Sequence, residues 1–127
     1  MNYDTNNIFA KILRGEIPSF KLYEDDFTLA FMDIMPQADG HALVIPKFEA
    51  TTLLDIPADQ LSHTMTTVQK GMAAQKSELG AEGVVVMQLN GEGAGQTVPH
   101  LHFHLIPAHL AELKRHGAEQ GDMKKIA

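Results

Sequence analysis

Residues 100 to 106 read His-Leu-His-Phe-His-Leu-Ile, a strict alternation of imidazole and hydrocarbon. Successive side chains of a β-strand leave opposite faces. In one extended segment His100, His102 and His104 therefore share a face, while Leu101, Phe103 and Leu105 enter a core. The chain has seven histidines in 127 residues. Chance would place three of them at alternate positions roughly 0.02 times per chain, and requiring apolar residues between them lowers this about fivefold. The run has a role.

Same-face Cα atoms in a strand lie only ~6.6–6.8 Å apart, so three cationic rings would repel one another. Some must be neutral or meet an anion. An unperturbed imidazole is roughly three-quarters neutral at pH 7 and can act as nucleophile or base. Two chemistries use such a row. A metal could bridge alternate histidines, but zinc prefers further ligands and the chain has no cysteine to supply them. The alternative is covalent phosphoryl or nucleotidyl transfer, with one ring attacking phosphorus and its neighbours orienting it and handling protons. The preceding segment, Asn90-Gly-Glu-Gly-Ala-Gly-Gln-Thr97, favours the second. Glycines let backbone N–H groups approach an anion, and Thr97 offers a hydroxyl beside them.

The remaining pattern is that of one α+β domain. A short helix capped within Thr5–Asn7 places Ile8, Phe9, Ile12 and Leu13 on one stripe and stops at Gly15. Strands are expected at Leu22–Glu24 and Phe27–Asp33, around an Asp25-Asp26 turn, and at His41–Ile45, stopped by Pro46. A long helix opens near Asp55–Gln60, buries Leu61, Met65, Val68 and Met72, and ends at Leu79-Gly80. Gly83–Leu89 and His100–Ile106 are the fourth and fifth strands. Short links make antiparallel pairing the economical arrangement. His63, His109 and His116 read as solvated. The tail, residues 108 to 127, is of mixed charge and partly helical or loosely ordered.

The formal net charge of −6 disfavours binding to nucleic acid or an anionic membrane, which needs clustered Lys and Arg. The N-terminus lacks a signal-peptide core and no apolar run is long enough to span a bilayer, so a cytoplasmic location is expected.

The stretch Gln96-Thr-Val-Pro-His100-Leu-His102-Phe-His104-Leu-Ile resembles the signature of the histidine-triad (HIT) superfamily. Upstream, Ile8–Ile12, Gly15–Pro18, Tyr23–Asp26, Ala30–Ile34 and Gly40–Lys47 resemble its Hint branch in order and spacing. The similarity covers about residues 7 to 107. It implies a five-stranded antiparallel sheet with two helices, paired as a homodimer whose sheets join. It also implies a metal-independent hydrolase or transferase, with no cofactor, acting at the α-phosphate of purine nucleoside monophosphate derivatives of phosphoramidate type. His102 would form a nucleotidyl-histidine intermediate, His100 and His104 would orient it and manage protons, and His41 would support the triad. Asp33 would hold ribose hydroxyls. Asn90, Gln96 and Thr97 would contact phosphate or the triad, and Ile8, Phe9, Ile12, Ile34 and Leu43 would sandwich the base.

Many bacterial relatives carry Cys-x-x-Cys and a later histidine that bind structural zinc. Here those positions hold Asn7, Ala10 and Glu49, so no zinc is expected there. The Hint-type C-terminus is also missing, which leaves open a dinucleoside polyphosphate hydrolase. A nucleotide-binding scaffold with little activity is a further alternative.

Overall fold

The computed structural model describes residues 2–113. The expected tail lies outside the described residues beyond Leu113, and so does His116. Helix α1 (Ile8–Leu13) is followed by strands β1 (Lys21–Glu24), β2 (Thr28–Met32) and β3 (Ala42–Pro46). Helix α2 (Ala58–Leu79), β4 (Val85–Met87), a 3₁₀ turn (Glu92–Ala94) and β5 (Phe103–Ile106) complete the order. The strands form one antiparallel sheet in the order β1-β2-β3-β5-β4. This is the α+β architecture expected.

Strand alternation divides the interior in two. Ala30, Ala42, Val44, Phe103 and Leu105 project toward α2, where Val68 is buried and Leu61 and Met72 pack partly buried. From the other face Leu29, Phe31, Leu43 and Ile45 meet Phe9 and Ile12 of α1. The histidines of the 100–106 run lie on this second, α1-covered face. Asn7 caps α1 by accepting the Ala10 N–H on Oδ1 (2.9 Å), and Gly15 leaves the helix at φ 79°. Gly80 ends α2 in the left-handed region, at φ 68°.

Four expectations need correction. The long helix starts at Ala58, inside the expected opening and with Pro57 as its cap residue, but its buried face is rotated from the predicted stripe. Thr64, Thr67, Val68 and Gln75 are buried, whereas Met65 is 38% exposed. Polar residues can occupy that face where their donors find partners, although Gln75 Oε1 is buried without one. Thr67 Oγ1 bonds Thr28 Oγ1 (2.7 Å), and Gln75 Nε2 donates to the carbonyls of Gly40 (3.0 Å) and Leu105 (2.9 Å). Gly71 faces the sheet so closely that a Cβ there would lie 2.6 Å from Leu105 Cδ1.

The fifth strand is shorter than His100–Ile106, because the β3–β5 ladder runs only from Ala42↔Leu105 to Val44↔Phe103. Before Phe103 the chain finds other partners: Leu101 N–H donates to Ala50 O (2.8 Å), and the His100 ring donates to Pro46 O (2.8 Å). The alternation of faces survives this loss of ladder, and Leu101, Phe103 and Leu105 are buried as expected. The fourth strand shrinks to Val85–Met87, which pairs with β5 only from Ile106 to His104. Pro46, expected to stop the third strand, is instead its last residue and pairs with Thr28.

Candidate active site

The site assembles where β2, β3 and β5 present the α1-covered face. Leu43 lies directly across from His104 in the ladder. His41, one residue before β3, alternates onto the same face as Leu43, and its Nε2 lies 3.0 Å from His104 Nδ1. Asp33 follows β2 and does two jobs. Its Oδ1 accepts the Met35 N–H (2.9 Å), closing the turn, and its Oδ2 lies 3.3 Å from His41 Nε2.

Hydrogen-bond partners fix where each ring carries its proton. The His100 carbonyl can only accept, so the 2.6 Å contact from His102 Nδ1 is an N–H donation. In the neutral ring that leaves an unprotonated lone pair on His102 Nε2. The Gln37 N–H donates to His41 Nδ1 (3.0 Å), which puts the His41 proton on Nε2, facing His104 Nδ1 and Asp33. His104 then accepts on Nδ1 and holds its own proton on Nε2. His100 donates from Nε2 to Pro46 O and accepts from the Tyr3 hydroxyl on Nδ1.

Burial reinforces the neutral forms. His100 and His104 are both pushed down to about 4, chiefly by desolvation; His102 and His41 add to the shift at His104. Burial also lowers His102, against the opposing pull of the His100 carbonyl and Asp33, and lowers His41 against Asp33. The rings are adjacent without being cationic: His102 and His104 centroids lie 5.1 Å apart, and Phe9 meets His102 edge-on at 4.9 Å.

His102 and His104 border a cavity of about 230 Å³. Ile8, Phe9, Ile12, Ile34 and Leu43 line it on the apolar side, with Asp33, Thr97, His102 and His104 on the polar side. Ile34 is 82% exposed, so it forms an open lip and not an enclosed wall. A larger cleft of about 480 Å³ lies on the opposite face under α2, remote from every histidine of the run.

Four predicted residues stand apart from the cavity wall. His41 is buried and bonded to His104. His100 is fully buried behind the wall. Asn90 Oδ1 accepts from Leu53 N–H (2.9 Å) and its amide pairs with Gln88. Gln96 is buried with its amide fully engaged: Oε1 accepts from Gly91 N–H (2.7 Å), and Nε2 donates to Thr51 O (2.8 Å) and Val98 O (2.9 Å). Asn90 and Gln96 thus hold the glycine loop in shape. His63 is exposed but stacks on Phe27 at 3.7 Å, and His109 is exposed. Sequence reasoning missed Tyr3, whose position in a polar N-terminus carries no pattern, and the main-chain N–H of Gln37.

The residues at the relatives' zinc positions do not suit a metal. Both polar atoms of the Asn7 amide are occupied, by Ala10 N–H and by Asp4 O (2.7 Å), and Ala10 has no donor atom on its side chain. Among the described residues, the ring nitrogens of His41 and His104 and an oxygen of Asp33 lie within 4.8 Å of one another. The two nitrogens are hydrogen-bonded to each other, as described above.

A five-stranded antiparallel sheet carries three alternate histidines, His102 and His104 bordering one cavity and His100 buried behind it. His41, just before the neighbouring strand, is bonded to His104. Together these define the histidine-triad class. The HIT domain family model matches residues 14–110, and the chain belongs to that family. It is similar to the adenosine 5′-monophosphoramidase of Saccharomyces cerevisiae, 46% identical over 82% of this chain and 63% of that protein. The enzyme of the same name from Candida albicans is 47% identical, over 79% of this chain and 68% of its own length. The chain thus spans about two thirds of these relatives. A HIT-like protein from Bartonella henselae, described as involved in cell-cycle regulation, has a solved structure that superposes with a TM-score of 0.83 at 53% identity. That match covers 86% of this chain and 83% of the other.

Proposed function

We propose that the protein hydrolyses the P–N bond of purine nucleoside 5′-phosphoramidates through a nucleotidyl-His102 intermediate. One observation carries the reading. The His102 Nδ1–H is committed to the His100 carbonyl, which leaves the Nε2 lone pair as the ring's reactive atom at the cavity wall. The names of the two fungal relatives support the choice of a phosphoramidate over a dinucleoside polyphosphate.

The apolar side of the cavity suits a purine, and Asp33 suits ribose hydroxyls as an acceptor. Thr97 and the loop shaped by Gln96 and Asn90 stand on the phosphate side. His102 Nε2 attacks the α-phosphorus; a P–N(His) bond forms, the P–N bond to the leaving amine breaks, and that amine takes up a proton. His104 Nε2–H, fixed by the His41 relay behind it, is the donor for the departing group or a phosphoryl oxygen. Water then attacks phosphorus and gives a proton to His104 Nε2, which had lost its own to the leaving amine. The electron pair of the P–N(His) bond returns to His102, and the nucleoside monophosphate leaves. The reading includes a homodimer formed through the sheet.

His102→Ala should abolish turnover of adenosine 5′-phosphoramidate while preserving the fold. Mass spectrometry of the wild type, quenched soon after mixing, should find an adenylyl adduct on His102. Near-normal activity in His102→Ala would overturn the covalent scheme.

A further inference from the structure

Both nitrogens of His100 are spoken for. Nε2–H donates to Pro46 O and Nδ1 accepts from the Tyr3 hydroxyl, across 97 residues of chain. The ring is fully buried, and Tyr3 packs against it edge-on at a centroid distance of 5.6 Å. Phe9 closes a further side at 6.3 Å. The backbone carbonyl of this same residue is the acceptor that fixes the tautomer of His102. Tyr3 lies outside residues 14–110, the region matched by the family model.

We propose that Tyr3 is a positioning residue for the reaction: its hydroxyl locks the His100 ring in the Nε2–H tautomer, and through it the carbonyl that orients His102. The inference rests on His102 being the nucleophile. The physical logic is that of an outer partner that sets ring orientation and tautomer in a histidine site. Pro46 O can only accept, so His100 must present a proton on Nε2; a neutral ring then needs a donor at Nδ1. Inside the fold no water is required if Tyr3 supplies it. Burial, the largest influence, raises the Tyr3 pKa and keeps the phenol protonated. Among its neighbours Asn7 and Arg14 oppose that shift, while Glu49 and Asp4 support it. With the phenol removed, a buried lone pair loses its partner, and the ring can relax by rotation or by taking its proton on Nδ1. Either change gives up the Nε2–H bond to Pro46 O, and with it the clamp on the residue whose carbonyl holds His102.

The test is Tyr3→Phe, which keeps the aromatic packing and deletes only the hydroxyl. Its kcat for adenosine 5′-phosphoramidate should fall about fivefold to tenfold, the worth of one hydrogen bond, with KM little changed and the melting temperature modestly lowered by the unpartnered His100 nitrogen. ¹⁵N NMR supplies the readout that a merely structural role would not move. In the resting wild type His100 Nδ1 should show a pyridine-like shift, and in Tyr3→Phe that signal should move or split. A pyrrole-like Nδ1 in the wild type would overturn the proposal without any variant. So would a Tyr3→Phe protein with unchanged kcat and an unchanged His100 signal. Because the NMR experiment needs no turnover, failure of the nucleophile assignment and failure of the Tyr3 lock are told apart.

Discussion

At the residue scale, four histidines in one place differ in what their nitrogens can do, and hydrogen-bond partners more than proximity make the difference. The alternating run identified a shared face for His100, His102 and His104. It could not distinguish the ring with a free lone pair from the ring clamped at both ends, because that depends on carbonyls contributed by Pro46 and by His100 itself. The donor to His41 Nδ1 is likewise a main-chain N–H, at Gln37, which no side-chain pattern reveals. A consequence for pH follows. Burial lowers the His102 pKa below its ordinary 6.5. Protonation removes the Nε2 lone pair, so the reactive form is the one present above the folded pKa. Activity should therefore persist as pH falls through 6.5 and decline only below it. A kcat/KM profile between pH 4 and 8 checks this; a midpoint at or above 6.5 would contradict it.

At the element scale, the sequence was most legible where alternation or capping forced an answer. Both helices end at the expected glycines, the sheet faces follow the apolar pattern, and the predicted strand centres lie within the observed strands. Legibility failed at the ends of β4 and β5, where ladder length is set by a partner strand and not by local composition. It failed again on α2, where Gly71 lets the helix approach Leu105 and hydrogen-bonded Thr64, Thr67 and Gln75 replace Met65 on the buried face. The glycine loop shows the same limit. Its residues were expected to touch phosphate, yet Gln96 spends three hydrogen bonds on main-chain groups of Gly91, Thr51 and Val98. Gln96→Ala should leave those groups unpartnered and destabilise the protein by about 2 kcal/mol, taking an unmade buried hydrogen bond as the unit. It should also lower kcat/KM, because neighbouring Thr97 lines the cavity. Urea unfolding and steady-state kinetics measure the two effects. A variant as stable as wild type would show that the loop is held by something else.

At the scale of the whole molecule, the two edges of the sheet are built differently. β1 is exposed at every position and carries Lys21 and Glu24, whose charges pair with each other and, through Glu24, with Lys47. Charged side chains on an edge discourage further strand pairing. β4 reads Val85-Val86-Met87, has no charge, and exposes Val86 by 40%. An uncharged, apolar edge presents unpaired backbone N–H and C=O groups as a template for another strand. A second copy of the chain, approaching about a two-fold axis, is the self-complementary occupant of such an edge. The protein should therefore sediment at twice its 13.9 kDa chain mass. Val86→Lys places a charge on each side of that junction, where like charges face one another, and should shift the equilibrium to monomer without unfolding the domain. If wild type sediments as a monomer, or Val86→Lys remains dimeric, the sheet edge is not the contact. If monomeric Val86→Lys turns over adenosine 5′-phosphoramidate as the wild type is proposed to, the cavity of one chain is sufficient. That outcome is expected, since the residues assigned to the reaction all come from a single copy.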